Sequence, residues 1–268
     1  MVMAAGVLAF AAGLAPVAVR ADSFPSLTRA VEGLAPLPSR RALDRIPNMG
    51  RKLLALRSYL RSASRIADIW SWDETQIATF DGTPQRAALM AEIGAIGAHF
   101  AAANPGYGLY VNPHIRSLDD QIAAWNGNTT VGRAANQLYE NFLVVFSKDG
   151  TFPQTIDADA FSGWLRRFMP RTPAPLAAPG LSAHGRASAI DFQIAQDGRV
   201  IAPADTSKIE DVWKKDGWDE KLKVSIEAAG PSFAGPLASP YEPWHYDYRP
   251  ATGMPDLKPA DPGPAVAE

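Results

Sequence analysis

The chain has 268 residues, 47% of them hydrophobic and 20% charged, a composition that excludes wholesale disorder, collagen and coiled coil. A formal net charge of −2 offers no global basic field for nucleic acid. There is no cysteine, so disulfides, thiolate zinc sites, iron–sulfur clusters and cysteine nucleophiles are excluded. A transition-metal site can draw only on four histidines and the carboxylates.

In chain order, residues 1–19 carry no charged side chain and are rich in Ala and Gly. Val19-Arg20-Ala21 follows, with short residues where a signal peptidase reads, so residues 1–21 are expected to be a secretory signal, a retained anchor being the alternative. Residues 34–47 read as an extended, Pro- and Arg-rich connection, and residues 51–70 as a helix with Leu53, Leu54, Leu56, Leu60, Ile66 and Ile69 at three-and-four spacing. Residues 39–65 hold eight basic residues (Arg40, Arg41, Arg45, Arg51, Lys52, Arg57, Arg61, Arg65) against the single acid Asp44. They form either a solvated helix face or a contact for an anionic partner such as a membrane surface or cell-wall polymer. Thr83 and Pro84 start a second helix that Asn104-Pro105-Gly106 stops. Leu109-Tyr110-Val111 is a short strand. Ser117 caps a helix with Asp119 and Asp120 in its first turn, residues 138–146 suit strand or helix, and residues 157–168 form a short amphipathic helix ended by Pro170.

Past Pro170 the texture changes. Residues 189–194 alternate apolar and polar as a half-buried strand does, Asp197-Gly198 is a turn, and Val200-Ile201 returns as its partner. Trp244, Tyr246 and Tyr248 alternate with His245, Asp247 and Arg249. Residues 251–268, with four prolines and almost no large apolar residue, read as a disordered tail. Helices first and strands later predict an α+β fold, with helices packed on a small antiparallel sheet and an N-terminal helical extension.

The residues able to do chemistry are few. His184 and Asp191 lie seven apart, which suits a loop folding His184 back over the strand that carries Asp191, and the intervening residues are small. His245 follows Glu242 by three, with Pro243 stiffening the link. Two histidines, an aspartate and an open fourth position compose a catalytic zinc site, in which a separate carboxylate, Glu242, takes the proton of an activated water. Any single histidine is more often packed or surface-bound than a ligand, and His99 and His114 read that way.

The stretch Pro179-Gly180-Leu181-Ser182-Ala183-His184, ending at Asp191, followed by Glu242-Pro243-Trp244-His245, resembles the zinc D-alanyl-D-alanine carboxypeptidase family, which includes vancomycin-resistance peptidases and phage endolysins. The signatures are Ser-x-His-x6-Asp and Glu-x-x-His. Arg116-Ser117-x-x-x-Gln121 is similar to a third family segment upstream. The three span residues 116–249, about half the chain. Ala187 stands where the family usually has Gly, and Ile115 replaces an aromatic.

The resemblance implies zinc ligands His184, Asp191 and His245, a general base Glu242, and Arg116 holding substrate and stabilising charge on the attacked carbonyl oxygen. Ser182 would bind substrate or steady the loop. Trp244 would line the pocket or pack the sheet, and Asp247 would be a partner behind a ligand or a plain surface charge. Residues 107–250 would form the peptidase domain, behind an N-terminal region at residues 22–106. The implied activity is that of an exported zinc peptidase in the periplasm or cell envelope, acting on peptidoglycan stem peptides, most directly as a D-Ala-D-Ala carboxypeptidase. An endopeptidase or an inactive cell-wall binding module on the same fold are the alternatives.

Overall fold

Residues 24–148 and 151–257 are described by the computed structural model; the expected signal or anchor at residues 1–21 lies outside them. Helices α1 (Pro25–Leu34), α2 (Arg40–Asp44) and α3 (Met49–Ser62) open the fold. The expected extended connection at 34–47 is therefore helical in part, a 3-10 turn at Leu37–Ser39 running into α2. Pro38 sits in the first turn, where a missing N–H costs nothing, and burial of Leu43 and Ile46 anchors the segment. The helix expected to reach residue 70 ends at Ser62. A 3-10 turn at Ala63–Arg65 follows, and past residue 70 the backbone enters long-range pairing, with Ser71 N–H donating to Gly180 O and Trp72 N–H to Gly185 O, both at 2.8 Å.

Next come α4 (Glu74–Asp81) and α5 (Pro84–Ala103), then β1 (Tyr107–Val111), α6 (Leu118–Gly127), α7 (Thr129–Phe146) and α8 (Ala158–Arg167). Capping chemistry sets several starts. Thr83 accepts from Arg86 N–H, Asp157 from Ala160 N–H, and Ser117 and Asp120 close a reciprocal capping box. The ambiguous residues 138–146 are the second half of α7. Its buried positions Val131, Ala134, Ala135, Leu138 and Phe142 follow helical spacing.

The sheet follows. Strands β2 (Ala189–Gln196) and β3 (Arg199–Ala202) form a hairpin about Asp197 and Gly198, whose φ of 49° and 74° are those of a two-residue primed turn. A π-helical turn (Ile209–Lys214) and α9 (Trp218–Ala229) intervene before the short strands β4 (Phe233–Ala234), β5 (Leu237–Ala238), β6 (Tyr241–Glu242) and β7 (His245–Tyr248). The main sheet runs β1-β2-β7-β4, with β3 beside β2, and all its pairs are antiparallel. The fold is α+β, as expected, although α1, α4 and α9 were not.

Two buried clusters organise the packing. One joins α1, α3, α7 and α8 around Leu53, Tyr59, Leu138 and Phe161. The other joins the inner face of the sheet (Ile190, Phe192, Ile194, Tyr246) to α5 and α9. The tail expected from residue 251 starts later, since Met254 and Leu257 pack on the second cluster and Gln76 Nε2 donates to Leu257 O at 2.6 Å. Residues 258–268 lie outside the described range. No helix among the described residues is long and apolar enough to cross a membrane.

Candidate metal centre

Antiparallel register brings the two strand-borne candidates together, for Asp191 on β2 is the direct partner of His245 on β7. Alternation does the rest. Ile190 and Phe192, with Trp244, Tyr246 and Tyr248, turn into the second core, so Asp191 and His245 share the opposite face of the sheet. His184 reaches the same point from a 3-10 turn, Ala183–Arg186, just ahead of β2. Ala187 ends that turn in the left-handed region, φ 54° and ψ 20°, and reverses the chain into the strand.

His184 Nε2 lies 3.3 Å from His245 Nδ1 and 3.5 Å from Asp191 Oδ1, and His245 Nδ1 lies 3.2 Å from Asp191 Oδ1. Three half-buried ligand atoms thus converge, and the group can hold a metal ion. The spacing suits that use, since ligands set tetrahedrally at about 2.0–2.2 Å from a metal stand about 3.3–3.6 Å apart.

The electrostatics suit it too. Burial, helped by the Arg116 charge, pushes His184 down to about 4 against the pull of Asp191, which leaves its imidazole neutral and able to ligate. Burial also penalises the Asp191 carboxylate, but the hydrogen bond from His245 and the charges of His184, His245 and Arg116 outweigh it and hold its pKa below the usual range. His245 is raised despite its burial, chiefly by Asp191.

Glu242 Oε2 stands 3.7 Å from His245 Nδ1. Its pKa is raised by burial first, with Asp191 adding to the effect. Arg116, far off in sequence, reaches the group and donates from Nη2 to Asp191 Oδ2 at 3.0 Å, the oxygen that does not face the histidines. Asp247 Oδ1 lies 3.6 Å from His245 Nε2, the nitrogen turned away from the group, and Arg249 holds its other oxygen. That places Asp247 behind a candidate ligand rather than as a plain surface charge.

Other expected residues fall elsewhere. Trp244 is 4% exposed and packs on Trp213 at 5.7 Å, so it is a core residue. Ser182 belongs to the loop structure through its carbonyl, which accepts from Ser71 Oγ at 3.2 Å and from Gly185 N–H at 2.9 Å. His99 meets Ser225 between α5 and α9, and His114 meets Asp120, both apart from the centre.

The sequence gives no role to two positioning residues, although Gln121 stands in its third segment. Buried Gln121 accepts from Gly180 N–H (2.9 Å) and donates to Arg116 O (2.8 Å) and Ser71 Oγ (3.0 Å). Buried Ser71 joins it to the His184 loop. Gly185 has no room for a side chain, because a Cβ there would collide with Ser71 Oγ and the Gln121 amide. The signal was present in the spacing from Arg116 to Gln121, but no sequence pattern says that an amide will bridge two distant loops. Compared with family models, curated proteins and solved structures, the chain has no match, so its chemistry rests on these residues.

Proposed function

We propose that the chain is an exported zinc metallopeptidase that hydrolyses peptidoglycan stem peptides, with release of a terminal D-alanine as its main reaction. The observation that carries this reading is the meeting of three separate sequence motifs at one point: His184 with Asp191, Glu242 with His245, and Arg116. Two histidines and one carboxylate with a further position open is a catalytic zinc donor set, and the lack of cysteine leaves no closed thiolate alternative. The resemblance of those motifs to D-alanyl-D-alanine carboxypeptidases supports the choice of substrate.

When bound, zinc would supply Lewis acidity, activating water and polarising the scissile carbonyl. The chain's own residues supply the rest. Glu242 Oε2 takes a proton from the attacking water and passes it to the leaving amine. Its raised pKa suits both halves of that transfer, since a stronger base accepts more readily and a neutral acid is available to donate. Arg116 is 47% exposed and keeps donors beyond the one on Asp191, so its guanidinium can also bind the carbonyl oxygen or the terminal carboxylate of a stem peptide.

The test is mass spectrometry of peptidoglycan fragments incubated with zinc-loaded protein, run beside metal analysis. Loss of a terminal D-alanine is expected, with about one zinc per chain. Glu242→Gln should keep the metal and lose turnover by about three orders of magnitude or more, as expected for a proton-transfer group that also helps to position the nucleophile. Cleavage within the stem would make it an endopeptidase, and intact fragments with zinc bound would make it a binding module. Absence of zinc would overturn the reading altogether.

A further inference from the structure

The small net charge conceals a separation. Residues 24–66 and 125–181, which build the helical cluster, carry fourteen Lys and Arg against six Asp and Glu. Residues 67–124 and 182–257, which build the sheet and its helices, carry ten against nineteen. One half of the molecule is therefore strongly cationic and the other strongly anionic.

Some cations of the helical half are spent internally. Arg51 donates to the carbonyls of Trp125 and Asn128, and Arg45 pairs with Asp119. Others gather. Arg57 Nε donates to Phe168 O at 2.7 Å, and Arg57 and Arg61 both reach the Met169 sulfur, at 3.3 and 3.9 Å. This sets the arginines of α3 against the end of α8, where Arg166, Arg167 and Arg171 flank Met169 within three residues of chain. None of these five arginines has an ion-pair partner among the described residues. Arg57 feels the crowding, its pKa lowered by burial and by the Arg61 charge.

At the centre Met169 is 69% exposed, beside a groove of about 360 Å³ lined by Leu54, Pro173, Leu176 and Ala177. Uncompensated like charges this close repel one another, and an anionic surface relieves them. An exposed thioether contacted by two guanidinium groups, with three more arginines beside it in the chain, suits the boundary between lipid headgroups and acyl chains, where cations pair with phosphate and an apolar side chain leaves water. A hydrated anionic polymer would give Met169 no such place.

We propose that this face docks on an anionic phospholipid bilayer, with Arg57, Arg61, Arg166, Arg167 and Arg171 pairing lipid phosphates and Met169 entering the headgroup layer. The anionic half is repelled from the same surface, so the dock also orients the molecule. The proposal stands apart from the metal centre and does not depend on its chemistry.

Full-chain protein is tested by flotation with vesicles of phosphatidylcholine alone and of an equal mixture with phosphatidylglycerol. Binding is expected only to the mixture. It should be strong at an ionic strength of about 0.1 M and lost at about 1 M, where the screening length falls from about 10 Å to about 3 Å. Each basic residue near an anionic surface contributes about fivefold in affinity. Combined Arg61→Gln, Arg166→Gln and Arg171→Gln should therefore weaken binding about a hundredfold, with helicity by circular dichroism unchanged. A matched triple on the other half, Arg199→Gln, Lys208→Gln and Lys215→Gln, should bind as the parent does. Attachment through the apolar residues 1–19 would ignore lipid charge and salt. That outcome, equal weakening by both triples, or binding to soluble polyphosphate with none to the vesicles would overturn the proposal.

Discussion

Ala187 carries the reversal between His184 and the strand bearing Asp191, with its methyl buried and its backbone left-handed. That conformation costs an alanine about 1–2 kcal/mol. Glycine would avoid the cost but lose the buried methyl, about 0.8 kcal/mol, and add unfolded-chain entropy, about 0.4–1 kcal/mol. The effects nearly cancel, so Ala187→Gly should change stability by less than about 0.5 kcal/mol in a denaturant titration. Ala187→Val, β-branched in the same conformation, should cost about 2 kcal/mol or more. Arg116 makes a second test at this scale. Its planar fork can hold Asp191 Oδ2 and still reach substrate, which a lysine ammonium does less well. Arg116→Lys is expected to lower kcat/KM for a stem peptide by about 30- to 1000-fold, with metal content and melting temperature nearly unchanged. Unaltered kinetics would reduce Arg116 to a partner of Asp191 alone.

The loop carrying His184 has little regular structure of its own, and its position is imposed by neighbours. The stretch after α3 pairs with it through Ser71 and Trp72, Arg186 reaches back to the Ile69 carbonyl, and Gln121 at the start of α6 bonds both Gly180 and the Arg116 carbonyl. One amide thereby couples the loop of the first candidate metal ligand to the candidate substrate arginine. Gln121→Ala would leave the Gly180 N–H and the Arg116 carbonyl without their partner in a buried setting, at about 1–3 kcal/mol each. A loss of about 3 kcal/mol, or about 6–12 °C in Tm, is expected. Weaker metal retention against a chelator should accompany it, because the His184 loop loosens. A drop in Tm with metal affinity intact would make Gln121 a packing residue only.

The centre is built on the sheet half, and Gln121 ties it to Gly180 of the helical half. Metal binding there should stabilise the whole molecule, since the unfolded chain cannot present His184, Asp191 and His245 together. At a hundredfold excess over Kd the gain is about 2.7 kcal/mol, or about 5–11 °C for a chain of this size. Chelation should lower Tm by that amount in differential scanning calorimetry, and added zinc should restore it. His184→Ala should melt at one temperature with or without chelator, and a chelator response that survives in this variant would place the stabilising metal elsewhere.

Local signals carried much of this protein. Thr83, Ser117 and Asp157 mark helix starts because a side-chain oxygen beside an unpaired N–H is a short-range interaction written within four residues. The alternation of Trp244, Tyr246 and Tyr248 with His245 and Asp247 assigns the two faces of β7, because pleating is a property of the strand itself. The candidate ligand motifs are short patterns too, but it is their resemblance to a known family that marks them as ligands. Tertiary structure decided what those patterns cannot encode. Residues 63–70 continue a helical pattern, yet the α-helix gives way to a 3-10 turn at Ala63–Arg65 and local turns, and the chain then enters long-range backbone pairing at Ser71 and Trp72. Trp244 stands between Glu242 and His245 in sequence but turns into the core, since neighbouring strand residues face opposite ways. Asp191 meets His245 only because β2 and β7 pair in that register, and Arg116 meets Asp191 only because Gln121 ties its backbone to the loop at Gly180. Contacts between residues fifty or more positions apart depend on the packing of the whole chain, and no local pattern specifies them.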